Sequence, residues 1–157
     1  MKLEVWCIGE ASQHYVTEGI AIYRNKLKHY FPFEYYEIKE PRSSRSSDRK
    51  KSLQVQADLI LKKLHAEDHL ILLDEKGKQF TSREFAVFIN KQLISNHKRT
   101  VLLIGGAFGF HSTLITQAKE KISLSAMTFS HDMIRLFLLE QMYRAGTILK
   151  NEPYHND

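Results

Sequence analysis

Apolar residues fall along the chain in two rhythms, short runs or alternations that suit strands and three-to-four-residue spacings that suit helices. Lys2 to Ile8 (KLEVWCI) predicts a strand. From Ser12 to Tyr30, the residues Val16, Gly19, Ile20, Tyr23, Leu27 and Tyr30 mark one face of a helix. Phe33 to Ile38 predicts a second short strand, and a helix resumes where Leu53, Ala57, Ile60, Leu61 and Leu64 form one stripe. His69 to Leu73 (HLILL) is an apolar run ended by Asp74 and turn residues around Gly77, the pattern of a buried parallel strand. Thr81-Ser82-Arg83-Glu84 has capping-box spacing, with Phe85, Phe88, Ile89 and Leu93 behind it. Thr100 to Ile104 (TVLLI) predicts another buried strand, closed by Gly105-Gly106. Thr113 to Glu120 predicts a short helix and Ile122 to Ser125 a short strand. Ser130 can then cap a long helix from His131 to about Leu149.

Strands and helices thus alternate, which predicts an α/β fold: a mainly parallel sheet with crossover helices on both faces. Ligands on such sheets sit beyond the carboxyl ends of the strands, so the loops after Leu73, Ile104 and Ser125 are the ones to watch. A chain of 157 residues, 43% hydrophobic, suits one domain with a real core. No apolar run approaches the roughly 20 residues of a membrane-spanning helix, and the opening lacks a signal peptide's long apolar region. We therefore expect a cytoplasmic protein with no membrane partner. The lone Cys7, in the first apolar segment, reads as a buried thiol and excludes a disulfide framework.

Charge sharpens the picture locally. The net charge is +5, and Pro41 to Lys51 (PRSSRSSDRKK) holds five basic residues against one acidic, most of that excess. With so little apolar content this stretch predicts a mobile loop, either simply solvated or gripping phosphates.

Several chemistries lack their motifs. There is no G-x-x-x-x-G-K-[ST] loop and no H-E-x-x-H, and one cysteine excludes a cysteine-rich zinc site, so no metal is expected. Gly105-Gly106-Ala107-Phe108-Gly109 is spaced G-G-x-x-G and fails the dinucleotide fingerprint. It reads as a tight turn, as room for a ligand, or as both. In the long final helix, His131 with Arg135 and Glu140 with Arg144 lie four residues apart and share faces. The second pair reads as an internal ion pair, the first as functional. The tail Glu152-Pro153-Tyr154-His155 offers an aromatic that can stack on a base and an imidazole that can move a proton.

Certain segments together resemble the RlmH-type ribosomal RNA large-subunit pseudouridine N3-methyltransferases of the SPOUT class. They are the opening strand ending Ile8-Gly9, LLDEKGK at Leu72 to Lys78, IGGAFGF at Ile104 to Phe110, ISLSAMTFSHDMIRLFLLEQMYRA at Ile122 to Ala145, and the terminal EPYH. The resemblance runs end to end. It implies a SPOUT fold with a C-terminal trefoil knot, which periodicity alone would not suggest because chains generally avoid knots. It also implies a homodimer, S-adenosylmethionine as cofactor, and a modified uridine in ribosomal RNA on the assembled ribosome as substrate. Carried over position by position, it places cofactor contacts at Leu73, Gly105, Leu124, Ser125, Ala126, Met127, Thr128 and Phe129. It makes His131 a positioning residue, Arg135 an anion or phosphate contact, and Tyr154 with His155 the cover of the base, His155 being a candidate proton acceptor.

The sequence departs from that pattern in three places. Asn156-Asp157 stand where a basic residue commonly follows Tyr-His, Ser130 stands where many members have proline, and the acidic-glycine pair of the middle helix is replaced around Gln56-Ala57. Two other readings compete with the enzyme: a non-catalytic RNA-binding or assembly factor, and a methyltransferase of the class acting on another RNA or a small molecule.

Overall fold

The computed structural model describes residues 1–45 and 48–156. The chain runs β1 (Lys2–Ile8), α1 (His14–Leu27), β2 (Phe33–Ile38), a 3-10 turn (Arg42–Arg45), α2 (Arg49–Leu61), β3 (His69–Gln79), α3 (Ser82–Ile94), β4 (Arg99–Ile104), α4 (Ser112–Gln117), β5 (Glu120–Ser123) and α5 (His131–Leu149). The five strands form one sheet in the order β2-β1-β4-β3-β5, every pair parallel.

Alternation along the strands sorts the core into two halves, because successive side chains point to opposite faces. Leu3, Val5, Cys7, Ile71, Leu102, Ile104 and Ile122 pack on one face beneath α1, α3 and α5. Trp6, Ile8, Leu70, Leu72, Val101 and Leu103 pack on the other beneath α2 and α4. The strands are apolar on both sides because helices cover both sides. Cys7 lies in the first half, and burial, opposed by a bond from Tyr35, pushes its thiol up to about 12, so it stays protonated and inert.

The helix starts follow local chemistry. Thr81 accepts from the Glu84 N–H at 3.2 Å while Glu84 accepts from the Thr81 N–H at 2.7 Å, closing the expected capping box. Ser130 accepts from Met133 N–H at 3.2 Å and starts α5 at His131, as its sequence predicts.

Three expectations are corrected. The basic stretch is not one loop: Asp48 accepts from the N–H groups of Lys50 and Lys51, which makes Arg49 to Lys51 the first turn of α2, and Arg42–Arg45 form a 3-10 turn. Residues 46 and 47 of that stretch lie outside the described residues, as does Asp157. β3 does not stop at Asp74 but continues, after a register shift, to pair Lys78 and Gln79 with Ile122 and Ser123. Gly77 permits this, since a Cβ there would stand 2.5 Å from the carbonyl carbon of Ile122. Accordingly β5 begins early, at Glu120, and α4 ends at Gln117.

Candidate active site

Strand register brings the chemistry-bearing loops together. Cys7 is abreast of Ile104, Ile104 of Leu73, and Leu73 of Ile122. Neighbouring strands lie about 4.8 Å apart, so these four positions span roughly 15 Å across the sheet, with Leu73 at the register shift of β3 and the other three at or near strand ends. Gly9, Gly105 and Leu124 leave the sheet there within two residues of that line. The loops singled out from the sequence therefore share one end.

The loop from β5 to α5 is held by its own polar groups. Ser123 Oγ donates to the Ser125 carbonyl at 2.7 Å, the Met127 N–H donates to Ser125 Oγ at 2.9 Å, and Thr128 Oγ1 donates to Glu75 on β3 at 3.4 Å. Leu73 and Leu124 are partly buried against the core, and the Phe129 ring rests 4.9 Å from that of Phe137. Ala126, Met127 and Thr128 are exposed; Met127 is 76% exposed, so it lines an open rim rather than a closed wall. The glycine segment is a tight turn, with the Gly109 N–H donating to the Gly106 carbonyl at 3.2 Å and Gly109 at φ +79°.

Beside this loop cluster lies a cavity of about 550 Å³, reached between Gly9, Glu40, Gly106, His131 and Arg135. A cavity of about 740 Å³ opens at the opposite end of the strands, by Met1, Arg24 and Tyr35. Its cations Lys2 and Lys98 are held at 2.7 Å by Glu34 and Glu67. The first lies where the strands' carboxyl ends and the glycine turn meet, the end at which ligands on such sheets sit.

The four expected catalytic residues divide into two places. His131 is exposed at the start of α5, on the cavity rim. Arg135, one turn on, is 2% exposed, and its guanidinium donates to the carbonyls of Ile8 and Gly9 at 3.1 Å, to the His131 carbonyl at 3.1 Å and to Glu37 at 3.2 Å. These bonds tie α5 to the end of β1. Tyr154 and His155 fold back on the middle of α5. The Tyr154 hydroxyl donates to Glu140 Oε1 at 3.1 Å, and Arg144 donates to His155 Nδ1 at 3.3 Å. Glu140 and Arg144 are the expected ion pair, 2.6 Å apart. Burial, with bonds involving Tyr23 and Glu140, raises the Tyr154 hydroxyl well above its ordinary value, so at neutral pH it keeps its proton. At 1.5 Å per residue, Glu140 lies about 13 Å along α5 from His131, so the two groups do not meet within one chain.

Sequence reasoning missed the residues that close the cavity. The Asp132 carboxylate accepts from Ser12 N–H, Ser12 Oγ and Gln13 N–H, each at 2.9 Å, pinning the β1–α1 loop to α5. Glu40 accepts from Gln56 Nε2 at 2.9 Å. An acidic residue in the first turn of a helix is a visible signal for Asp132; nothing local marks Glu40 or Gln56. Among the described residues, no group of three His, Cys, Asp or Glu side chains could hold a metal ion, and no helix is long and apolar enough to cross a membrane.

An all-parallel sheet whose loops converge at one end around a glycine turn defines an α/β domain of the kind in which ligands sit beyond the strands' carboxyl ends. The family model described as predicted SPOUT methyltransferase matches residues 1–155, and the chain belongs to that family. It is 50% identical over 157 residues to the ribosomal RNA large subunit methyltransferase H of Cytophaga hutchinsonii, covering 99% of this chain and all of that one. It is 45% identical to the protein of the same name from Parabacteroides distasonis, covering both chains completely. A solved structure of a probable methylase family protein from Haemophilus influenzae superposes with a TM-score of 0.53 at 14% identity, over 99% of this chain and 70% of that one, and supports the fold.

Proposed function

We propose that the chain is an S-adenosylmethionine-dependent methyltransferase that modifies N3 of a pseudouridine in large-subunit ribosomal RNA, on the assembled ribosome and therefore in the cytoplasm. The observation that carries the reading is the convergence of Leu73, Gly105 and Leu124 to Phe129 on one strand end, beside a cavity. The relatives' names supply the substrate class.

The residues fit the cofactor: partly buried Leu73 and Leu124 offer apolar contact, and the exposed backbone of Ala126 to Thr128 offers hydrogen bonds. When bound, the cofactor supplies an electrophilic methyl group for in-line transfer to a ring nitrogen that has lost its proton. Ser125, through its bonds to Ser123 and Met127, shapes the loop that positions it. Arg135 fixes the Ile8-Gly9 wall against which the base would lie. His131 on the rim is placed to orient that base.

Tyr154 and His155 can cover the base only from a second copy, given their distance from His131, and we propose a homodimer on that ground. Phe137 on α5, 40% exposed, offers apolar surface to such a contact. The knotted threading implied by the family resemblance belongs to the same proposal. Arg49, Lys50 and Lys51 at the start of α2 would supply phosphate contacts.

Calorimetry with S-adenosylmethionine, followed by methyl transfer to ribosomes lacking the modification, tests the reading. Gly105→Val should abolish cofactor binding, because a side chain there presses on the Phe110 ring, only 2.9 Å from the position of a Cβ. His155→Ala should keep binding and slow transfer. Cofactor binding without transfer to any ribosomal substrate would refute the proposal.

A further inference from the structure

The glycine turn between β4 and α4 carries two phenylalanines with opposite fates. Phe110 packs against the core half beneath α2 and α4, and its ring lies where a side chain at Gly105 would stand. Phe108 is 49% exposed. A lone exposed phenylalanine says little, since apolar atoms make up much of any protein surface. This one is held at ring and backbone alike. The Arg49 guanidinium lies over the ring, 5.3 Å from its centroid, and Arg49 Nη2 donates to the Phe108 carbonyl at 3.2 Å. The next residue, Gly109, closes the turn through its N–H, and beyond its chain neighbours no atom comes within 4 Å of the point where a side chain there would begin. The ring is thus fixed in place yet uncovered.

Its surroundings define what it would meet. Gly106 and Ala107, the two residues before it, line the cavity, so the ring borders the place where the target base would enter. Arg49 is followed in the first turn of α2 by Lys50 and Lys51, all three exposed. The nearby carboxylates are engaged: Asp48 accepts from the N–H groups of Lys50 and Lys51, and Glu40 from Gln56. An aromatic face backed by a guanidinium and followed by cations complements both surfaces of a nucleotide, the flat base and the anionic phosphate. A base turned into a pocket leaves its stack, which uncovers a face of its neighbour. We propose that Phe108, backed by Arg49, is the stacking platform for an unpaired base of ribosomal RNA beside the one that is methylated. The proposal rests on the methyltransferase reading above and extends it to how the strand is held: the lysines grip phosphate while the ring seats a base.

Ribosomes lacking the modification serve as the probe, with binding and methyl transfer measured separately. Phe108→Ala should raise the Kd for ribosomes by about 5- to 100-fold, the range for losing one base–aromatic stack. Affinity for S-adenosylmethionine and oligomeric state should match wild type. Because no charge is lost, the log–log salt slope of binding should also stay as it is. Phe108→Tyr should keep binding, whereas Phe108→Leu, apolar but without a π-face, should bind as weakly as Phe108→Ala. Wild-type binding by the alanine or leucine variant, or loss of binding in the tyrosine variant, would overturn the assignment; rescue by leucine would point to an apolar protein contact. Loss of cofactor affinity or a changed oligomeric state in Phe108→Ala would overturn it too, by assigning the ring to the cofactor pocket or to a subunit interface. Binding that depends on Phe108 without any methyl transfer by wild type would instead overturn the activity and leave the platform standing, which separates the two failures.

Discussion

Arg135 offers the sharpest test of how the site is built. Replacing it with Met keeps an unbranched apolar stem but removes every donor, leaving the carbonyls of Ile8 and Gly9 and the carboxylate of Glu37 without this partner. A buried acceptor stripped of its donor costs about 1–3 kcal/mol. Glu37, with 28% of its side chain exposed, recovers solvation and adds little. Two carbonyls together then cost about 3 kcal/mol, within the range for truncating one side of a buried pair. For a chain of this length each kcal/mol moves Tm by about 2–4 °C, so Arg135→Met should melt roughly 6–12 °C lower. Arg135→Lys keeps the charge but not the planar fork, and should lose roughly half as much. Thermal unfolding measures the drop, and methylation assayed across salt concentrations measures phosphate contact. Unchanged Tm in both variants, with a shallower salt dependence, would show that Arg135 meets RNA after all and that the scaffold reasoning is wrong.

Other substitutions probe other levels. Gly77→Ala forces a Cβ onto the backbone of Ile122, which cannot yield as a side chain would; a loss of about 3 kcal/mol in denaturant unfolding, with weakened cofactor binding, is expected, and wild-type stability would refute the close approach. Burial raises the Asp68 carboxyl, but bonds from Arg99 and the His65 N–H outweigh it and hold the group below its ordinary value. Its contribution is therefore present above the unfolded pKa of about 3.9 and lost as pH falls through the lower folded value. Asp68→Asn should be less stable than wild type near neutrality, with the gap closing toward pH 3; a constant gap in Tm would count against the bond. Lys50→Ser with Lys51→Ser should flatten the log–log salt slope of ribosome binding by up to about two and leave Tm nearly unchanged. An unaltered slope would remove the basic turn from the interface.

Much of the architecture was legible because it rests on local signals. The Ser130 cap placed α5 at its observed start, the Thr81–Glu84 box placed α3, and runs such as TVLLI announced buried parallel strands. The misreadings share a cause. Gly77 resembled a turn because a glycine that punctuates and a glycine that admits a neighbouring backbone look alike until β5 is beside it. The Ser/Arg stretch resembled a loop because charge drew attention from Asp48, whose carboxylate caps α2. In the site, the loops were legible through strand-end logic, whereas the separation of His131 from Tyr154 depends on how the tail folds back. Glu40 with Gln56, and Arg135 with Gly9, meet across 16 and 126 residues, and no periodicity encodes such meetings.

The bond between Asp132 and the Ser12-Gln13 backbone bears on the order in which the molecule comes into being. The first loop of the chain is closed by a carboxylate 120 positions later. A growing polypeptide emerges amino end first, so β1 and α1 leave the ribosome long before the group that fixes their connection exists. Contacts this distant in sequence also form slowly. The cavity is consequently among the last features to assemble, and a prematurely terminated product lacking α5 would retain all five strands of the sheet but no competent pocket.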